Sequence, residues 1–179
     1  MLATVHGDCA VAARFRGALQ SDIESAVVVA EVDGGRAVTP IERLTDDEID
    51  SCFEQPMQRL IASLQTAFHA GAKRIVVVVP TIGMSGGDRH AVHAAFAEAA
   101  RVLVKSAARQ WGANGVTVNA VALSPDEFDV DVAVSGPVSI APRALSGDVD
   151  PTSLVSWLCA SAAGHVTGQT IVCDGGLWM

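Results

Sequence analysis

Aromatic residues are scarce in this chain. It has no tyrosine, and aromatic side chains make up only 4 % of its 179 residues, although half of the residues are hydrophobic. A core of this composition has to be built from Ala, Val, Leu and Ile, which is typical of a buried parallel sheet covered by closely packed helices. The length is that of one domain, so we expect residues 1–179 to form a single unit.

Basic residues are also few. The chain has 12 Lys and Arg against 20 Asp and Glu, which gives a formal net charge of −8. A surface of this sign repels phosphate backbones, so we expect no nucleic-acid partner. No apolar run is long enough to span a bilayer and no basic cluster indicates a membrane surface, so we expect no membrane partner.

Signals for export and for disulfide formation are missing as well. The first residues lack the basic segment and the long apolar stretch of a signal peptide. The four cysteines have neither a CxxC spacing nor a paired pattern; they are Cys9, Cys52, Cys159 and Cys173. We therefore expect a reduced, cytoplasmic setting.

Valine-rich stretches alternate with helical patterns along the chain. Strands are predicted at Met1–His6, Ala26–Val32, Arg74–Val79, Val116–Leu123 and Thr170–Cys173. The helices predicted between them are Ala10–Gln20, a helix opened by Thr45 and continued from Pro56 to about His69, His90–Trp111, and a helix from Asp150-Pro151 to about Ala163. This alternation predicts an α/β domain, a doubly wound parallel sheet of about five strands whose right-handed crossovers place helices on both faces.

Local signals refine these boundaries. Thr45 and Glu48 have the spacing of a capping box, and Pro56 is expected to interrupt the helix that follows. Asp150 and Pro151 are a favourable N-cap and first helical residue. Gly83–Gly87 is predicted to be a loop, and residues 124–149 are predicted to be irregular.

Three segments resemble the short-chain dehydrogenase/reductases, in particular the 3-oxoacyl-ACP reductase-like members. They are RIVVVVPTIGMSGG with the helix ending in KSAARQWG, then NGVTVNAVALSP, then LVSWLCASAAGHVTGQTIVCDGG. The last segment is close to the family's C-terminal pattern of a VTGQ turn, a short strand and DGG. The resemblance covers roughly residues 26–176 in one register and implies a Rossmann-like fold, shortened at its N-terminal side.

The family's active-site residues are all replaced. The resemblance implies an Asn that supports a proton relay, a Ser that holds the substrate oxygen, a Tyr that donates the proton and a Lys that lowers the pKa of that Tyr. These positions correspond to Pro56, Pro80, His93 and Ala97. Farther along the same helix, Lys105 matches another lysine of the family pattern, which fixes this register. A proline side chain neither donates nor accepts a hydrogen bond, so the resemblance implies a site without its chemistry.

The cofactor apparatus is also replaced. A dinucleotide site needs a glycine-rich turn after the first strand, but His6–Cys9 has one glycine, and Asp8 would repel phosphate. The family's Asn-Asn-Ala-Gly corresponds to Ala30–Asp33, and its Pro-Gly near the nicotinamide corresponds to Leu123-Ser124. One strand and one helix precede Ala26–Val32 where the family has three strands. We therefore expect no cofactor, and we expect the first strand to pair beside Ala26–Val32.

Three other groups of residues invite functional interpretations: Asp88, His90 and His93 as a metal site, Gly83, Gly86 and Gly87 as a phosphate loop, and His6, Asp8 and Cys9 as a nucleophile with its base. The metal site lacks a third convergent ligand, and the nucleophile lacks an orienting group. The glycines are explained by a loop alone. We expect none of the three to be functional.

Small residues on the long helix indicate a close contact with another helix. The resemblance implies that this helix and the one before it form a four-helix contact between subunits. The expected interface residues are Ala94, Ala95, Ala99, Ala100, Leu103 and, in the apolar tail, Trp178.

Two functional hypotheses follow from these features. The first is a non-catalytic subunit that forms an oligomer with an active NAD(P)-dependent short-chain dehydrogenase/reductase, or with itself, and stabilises the partner or shapes its substrate pocket. The second is an enzyme with altered, cofactor-independent chemistry of a lyase or hydrolase type, in which His93 is the acid/base.

Overall fold

A sheet of five parallel strands forms the centre of the molecule. The structure, a computed structural model, describes residues 3–19, 24–33, 35–36, 38–130 and 150–177. The strands lie in the order β1-β2-β3-β4-β5. They are β1 Thr4–His6, β2 Ser25–Val29, β3 Arg74–Pro80, β4 Thr117–Leu123 and β5 Thr170–Cys173. The predicted α/β fold with five strands is therefore confirmed, and β1 pairs with β2 as expected.

Six α-helices connect or flank these strands within the described residues: α1 Ala10–Ala18, α2 Asp46–Ile49, α3 Gln55–His69, α4 Ile82–Ser85, α5 Ala91–Trp111 and α6 Thr152–Cys159. In this part of the chain, no helix has both the length and the apolar character needed to cross a bilayer.

The sheet separates two apolar cores. Alternate strand residues such as Val28 and Val77 face α3 and α5, where they pack with Leu64 and Phe96. The other strand residues face α1 and α6 and form the second core. Valine and alanine predominate in both cores because the central strands β2, β3 and β4 are covered on both faces, as the composition predicts.

Helices cover both faces of the sheet, but right-handed crossovers alone do not produce this arrangement, contrary to the prediction. Successive strands are added on the same side of the sheet, so crossovers of one hand would place every helix on one face. Because α1 and α6 lie opposite α3 and α5, the connections on the two faces have opposite hands. A doubly wound sheet has the strand order 3-2-1-4-5-6. When strands 2 and 3 are left out of that order, the first helix still lies opposite the helices that follow it, as α1 lies opposite α3 and α5 here.

The region around Pro56 is helical without a break. Asp46–His69 runs through α2, a π-helical segment Asp50–Glu54, and α3. The amide of Gln55 bonds to the carbonyl of Asp50, five residues back. The prediction of an interruption was wrong, because widening the helix just before Pro56 accommodates a residue that has no amide hydrogen. The capping box of Thr45 and Glu48 is present as predicted.

Other boundaries differ by a few residues. Ile82–Ser85 is a short helix inside the predicted Gly-rich loop. The side chain of Asp150 accepts from the Thr152 amide at 3.0 Å, which caps α6 as predicted. That helix ends at Cys159, and a 3-10 turn, Ser161–Ala163, continues it. In the region predicted to be irregular, Pro125–Phe128 forms a 3-10 turn, and residues 131–149 lie outside the described residues.

The VTGQ turn is fastened to β4 by hydrogen bonds. Asn119, which is 1 % exposed, donates to the Val166 carbonyl at 2.8 Å and accepts from the Gln169 amide at 3.1 Å. The Gly168 amide bonds to the Val118 carbonyl at 2.7 Å. These contacts set the register of β5, so this segment has a structural role within the chain.

Candidate functional site

The four positions that correspond to the family's active site lie on three elements. Pro56 is in the first turn of α3, Pro80 ends β3, and His93 and Ala97 lie on α5. All four are buried. None of them except His93 carries a side chain that can exchange a proton.

An apolar cluster surrounds the position of the family's lysine. Ala97 packs with Ile82 and Val130, both fully buried or nearly so, and with the partly buried Val32 and Ala94. These residues come from the segment after β2, from α4, from α5 and from the segment after β4. The chain therefore fills this position with its own methyl groups.

His93 is enclosed and neutral. Its ring is 0 % exposed, and Nε2 lies 2.9 Å from the carbonyl oxygen of Asp33. A carbonyl only accepts, so Nε2 carries the hydrogen and Nδ1 is left as an acceptor. Nδ1 is buried and has no hydrogen-bond partner among the described residues. Burial lowers the pKa of His93, and the nearby His90 acts in the same direction, while Asp33 opposes it.

A hydroxyl also lies next to the position of the family's serine. Thr81 follows Pro80 and is 0 % exposed. Its amide bonds to the Leu123 carbonyl at 2.8 Å, while its Oγ1 has no partner in the described part of the chain. Sequence reasoning missed this hydroxyl because the aligned position itself is a proline.

Glu31 occupies the turn where a dinucleotide site would bind phosphate. Its Oε1 accepts a short hydrogen bond from the Asp8 amide and a second one from the Cys9 amide at 3.2 Å. These two successive N–H groups lead into α1, so the carboxylate lies at the positive end of that helix. Asp8, the residue expected to oppose phosphate, is exposed and lines the cleft beside this turn, and its backbone amide donates to Glu31.

A cleft of about 250 Å³ borders this turn. Its lining includes Gly7, Val29, Pro56 and Ser63, together with the guanidinium of Arg59. The Arg59 Nε lies 4.0 Å from the second carboxylate oxygen of Glu31. Burial raises the pKa of the neighbouring Cys9 thiol, and the charge of Glu31 adds to this effect, so Cys9 is held as a thiol.

The other sequence candidates have structural explanations. The rings of His90 and His93 lie with centroids 5.4 Å apart and are tilted by 51°, and His90 Nδ1 bonds to the carbonyl of Asp88 at 2.7 Å. Within the described residues, no three metal-ligating side chains lie close enough together to hold a metal ion. A Cβ on Gly83 would lie 3.0 Å from the carbonyl oxygen of Ala94, so this glycine permits close packing of α4 on α5.

The expected interface residues are distributed over two environments. Ala95 is exposed, Ala94, Ala99 and Leu103 are partly buried, and Trp178 lies outside the described residues. Ala100 is 0 % exposed because it belongs to the chain's own core, so its prediction as an interface residue was wrong. Val102 of α5 and Ile61 of α3 are large apolar side chains that are 59 % and 38 % exposed.

Comparison with protein families decides the identity of this fold. A family model described as enoyl-(acyl carrier protein) reductase matches residues 27–178. The chain belongs to the short-chain dehydrogenase/reductase family.

Individual members of the family agree with this assignment. The 3-oxoacyl-[acyl-carrier-protein] reductase of Salmonella typhimurium is 29 % identical, over 76 % of this chain and 60 % of the reductase. A tropinone reductase homologue of Arabidopsis thaliana is 28 % identical, over 72 % of this chain and 55 % of the homologue. This chain thus spans about 60 % or less of the length of these curated relatives.

Solved structures have the same fold. A short-chain dehydrogenase/reductase from Brucella melitensis, titled glucose/ribitol dehydrogenase, has a TM-score of 0.63 and 18 % identity, covering 86 % of this chain and 64 % of its own. A 4-hydroxyisoleucine dehydrogenase complexed with NADH and succinate has a TM-score of 0.59 and 20 % identity, covering 84 % of this chain and 68 % of its own.

Glu31 could have been found in the sequence by comparison with the short-chain dehydrogenase/reductase pattern. The resemblance aligns Ala30–Asp33 with the family's Asn-Asn-Ala-Gly, so an acidic side chain stands at the carboxyl end of β2, beside the turn after β1. Neighbouring parallel strands bring these two ends together. The departure was visible in the sequence, but the contact was not.

Proposed function

We propose that this chain is a non-catalytic subunit of a short-chain dehydrogenase/reductase assembly, which pairs with an active NAD(P)-dependent member and stabilises it or shapes its substrate pocket. The observation that carries the proposal is that the chain's own groups occupy the phosphate-binding turn and the position of the family's lysine. Glu31 takes the amides at the phosphate-binding turn, and an apolar cluster surrounds Ala97.

Burial of the remaining polar groups argues against an enzyme with altered chemistry. His93 and Thr81 are the groups that an acid/base mechanism would use here, and both are 0 % exposed. A catalytic acid or base has to come within hydrogen-bond distance of the proton that it transfers. Neither residue reaches solvent or the cleft beside Glu31.

The outer surface of α3 and α5 supports an oligomeric role. Val102 and Ile61 expose large apolar side chains, and Ala95, two turns before Val102 on α5, is small enough for another helix to approach closely. The proposed partner is an active family member, with a second copy of this chain as the other mode of assembly. None of the four cysteines forms a disulfide, which fits a reduced, cytoplasmic setting for this chain and its partner.

Co-expression tests the proposal. The tagged chain is produced with each intact short-chain dehydrogenase/reductase of the same organism, and complexes are isolated and sized by light scattering. We expect one stable complex whose partner changes its turnover or its substrate affinity when this chain is present. We also expect the isolated chain to give no saturable fluorescence change with NADH or NADPH at micromolar concentration.

The tail provides a matched control in this experiment. A chain that lacks Leu177 to Met179 is expected to assemble but to change the kinetics of the partner less than the full chain does. Failure of every intact family member to associate, or saturable micromolar binding of NAD(P)H by this chain, would count against the proposal.

A further inference from the structure

We propose that Glu31 is a built-in anion, whose carboxylate occupies the anion-binding turn before α1 and excludes phosphate-bearing ligands from the adjoining cleft. The inference rests on the part of the proposed function in which the chain works without a dinucleotide. It does not depend on the identity of the partner subunit.

The two donors form a site that fits an anion. Asp8 and Cys9 present successive backbone amides at the start of α1, and both donate to the same carboxylate oxygen. Successive amides of this kind form a concave cradle for negative charge, reinforced by the helix dipole. Within the described residues, α1 has no acidic residue in its first turn, and Cys9 gives no side-chain capping bond. Glu31 therefore supplies the charged acceptor that the first turn and the N-cap side chain of α1 do not provide.

Gly7 makes the approach of Glu31 possible. Its φ of +127° lies in a region that favours glycine, and a Cβ at this position would be 3.0 Å from Glu31 Oε1. Its carbonyl accepts from Arg16 Nη1 at 2.6 Å, which fixes the turn on α1. The glycine that lets a backbone approach a phosphate in dinucleotide sites here lets it approach a carboxylate.

Tethering gives Glu31 an advantage over any free anion. The side chain extends from the end of β2, which is paired with β1 directly beside the turn. A group held so close competes with a high effective concentration, so a dissolved phosphate at cellular concentration does not displace it. Arg59, whose Nε is 4.0 Å from Oε2, holds the carboxylate from the side of the cleft.

The experiment compares Glu31→Ala with Glu127→Gln in the full-length chain. Glu127 forms an ion pair with Arg14 of α1 at 2.8 Å, so its variant removes a negative charge near the same helix without opening the turn. Thermal unfolding is followed while inorganic phosphate is titrated at constant ionic strength against chloride. The phosphate response is the readout that separates anion exclusion from simple capping.

We expect Glu31→Ala to lower the unfolding midpoint by about 5 °C, because two charge-assisted hydrogen bonds are lost. Phosphate should restore stability saturably, with a dissociation constant in the millimolar range and at least about tenfold tighter than in the unmodified chain, whose turn is already occupied. Glu127→Gln should shift the midpoint by about 2 °C or less and show no saturable phosphate effect.

Several outcomes would overturn the inference. One is a Glu31→Ala midpoint equal to that of Glu127→Gln; another is a destabilised Glu31→Ala variant without a phosphate response, which would make Glu31 only a helix cap. A phosphate response of the unmodified chain as strong as that of Glu31→Ala would also contradict it.

If Glu31→Ala does not fold, the inference is tested by refolding Glu31→Ala and Glu31→Gln in the presence of phosphate. Rescue of folding supports the proposal, and failure of both variants to refold contradicts it. Loss of partner association in any variant bears on the subunit role alone.

Discussion

The buried side chain of His93 is one residue by which this chain differs from the family pattern. His93 stands where the family has a catalytic tyrosine, but its ring donates to the Asp33 carbonyl and has no solvent contact. It links the segment after β2 to α5. A histidine in this setting contributes to stability only while it remains neutral.

Acid should therefore destabilise the chain through His93. Its pKa is lowered from 6.5 by burial, so the unfolded chain takes up the proton first, and the free energy of unfolding falls as the pH drops below about 6.5. His93→Gln keeps a donor for Asp33 but cannot be protonated. We expect chemical denaturation between pH 7.5 and pH 5 to show a smaller slope in the variant, by at most one bound proton.

The half-buried His6 has a pKa lowered by burial as well, so some slope should persist in His93→Gln. The histidine interpretation would be wrong if the two proteins lost stability identically over this pH range.

Alanine substitutions at two glycines, Gly83 and Gly17, distinguish the effect of close packing on stability from the effect of backbone entropy. A Cβ on Gly83 would lie 3.0 Å from Ala94 O, while a Cβ on Gly17 in α1 would meet nothing within 4 Å. Gly83→Ala should cost about 1–3 kcal/mol of unfolding free energy, because α4 has to move away from α5. Gly17→Ala should add about 0.5 kcal/mol, since alanine favours the helix. Equal effects of the two changes in denaturant titrations would refute this explanation of Gly83.

At the level of elements, the sheet depends on side chains that fasten one strand to the next. β5 is short and half-buried, and its neighbour β4 is buried throughout. Asn119 of β4 holds the turn before β5 through two hydrogen bonds. This explains why the VTGQ segment stays close to the family pattern without any reference to a partner.

Asn119→Ala should lower the unfolding free energy by about 2 kcal/mol, because the buried Asn119 side chain makes two hydrogen bonds, to the Val166 carbonyl and from the Gln169 amide, that the variant loses. Hydrogen exchange of the β5 amides should increase more than that of the β3 amides. The matched control is Gln169→Ala, which removes an exposed side chain from the same turn and should cost much less. Uniform acceleration of exchange across the sheet would contradict a local fastening role.

For the whole molecule, the outer faces of α3 and α5 are the surface to test for assembly. Ala95→Glu and Val102→Glu each place a charge on the proposed contact, where an unpaired buried charge costs several kcal/mol. We expect light scattering at micromolar concentration to show the proposed assembly for the unmodified chain and its loss in each of the two variants. Ala13→Glu, an equivalent change at an exposed position of α1, should leave it intact. Dissociation by all three variants, or by none, would show that this face is not the contact.

Much of this architecture was determined by the sequence itself. Valine-rich runs, a capping box and an Asp-Pro pair act through neighbouring residues, so strands, helices and the start of α6 were predictable from local chemistry. Replacement of the active-site residues by Pro56, Pro80 and Ala97 was equally visible, because it concerns which residue is present. The continuous helix through Pro56 was not predictable, since a π-helical widening depends on how the whole helix packs.

Only the tertiary structure decided which groups meet and which are covered. Glu31 and Cys9 are 22 residues apart, and the pairing of β1 with β2 brings them together. Ala95 and Ala100 are alike in the sequence, yet one is exposed and the other lies in the core, because they face different sides of the same helix. Parallel pairing and helix orientation act across long separations in the chain, so the turn occupied by Glu31 forms only once the sheet is assembled.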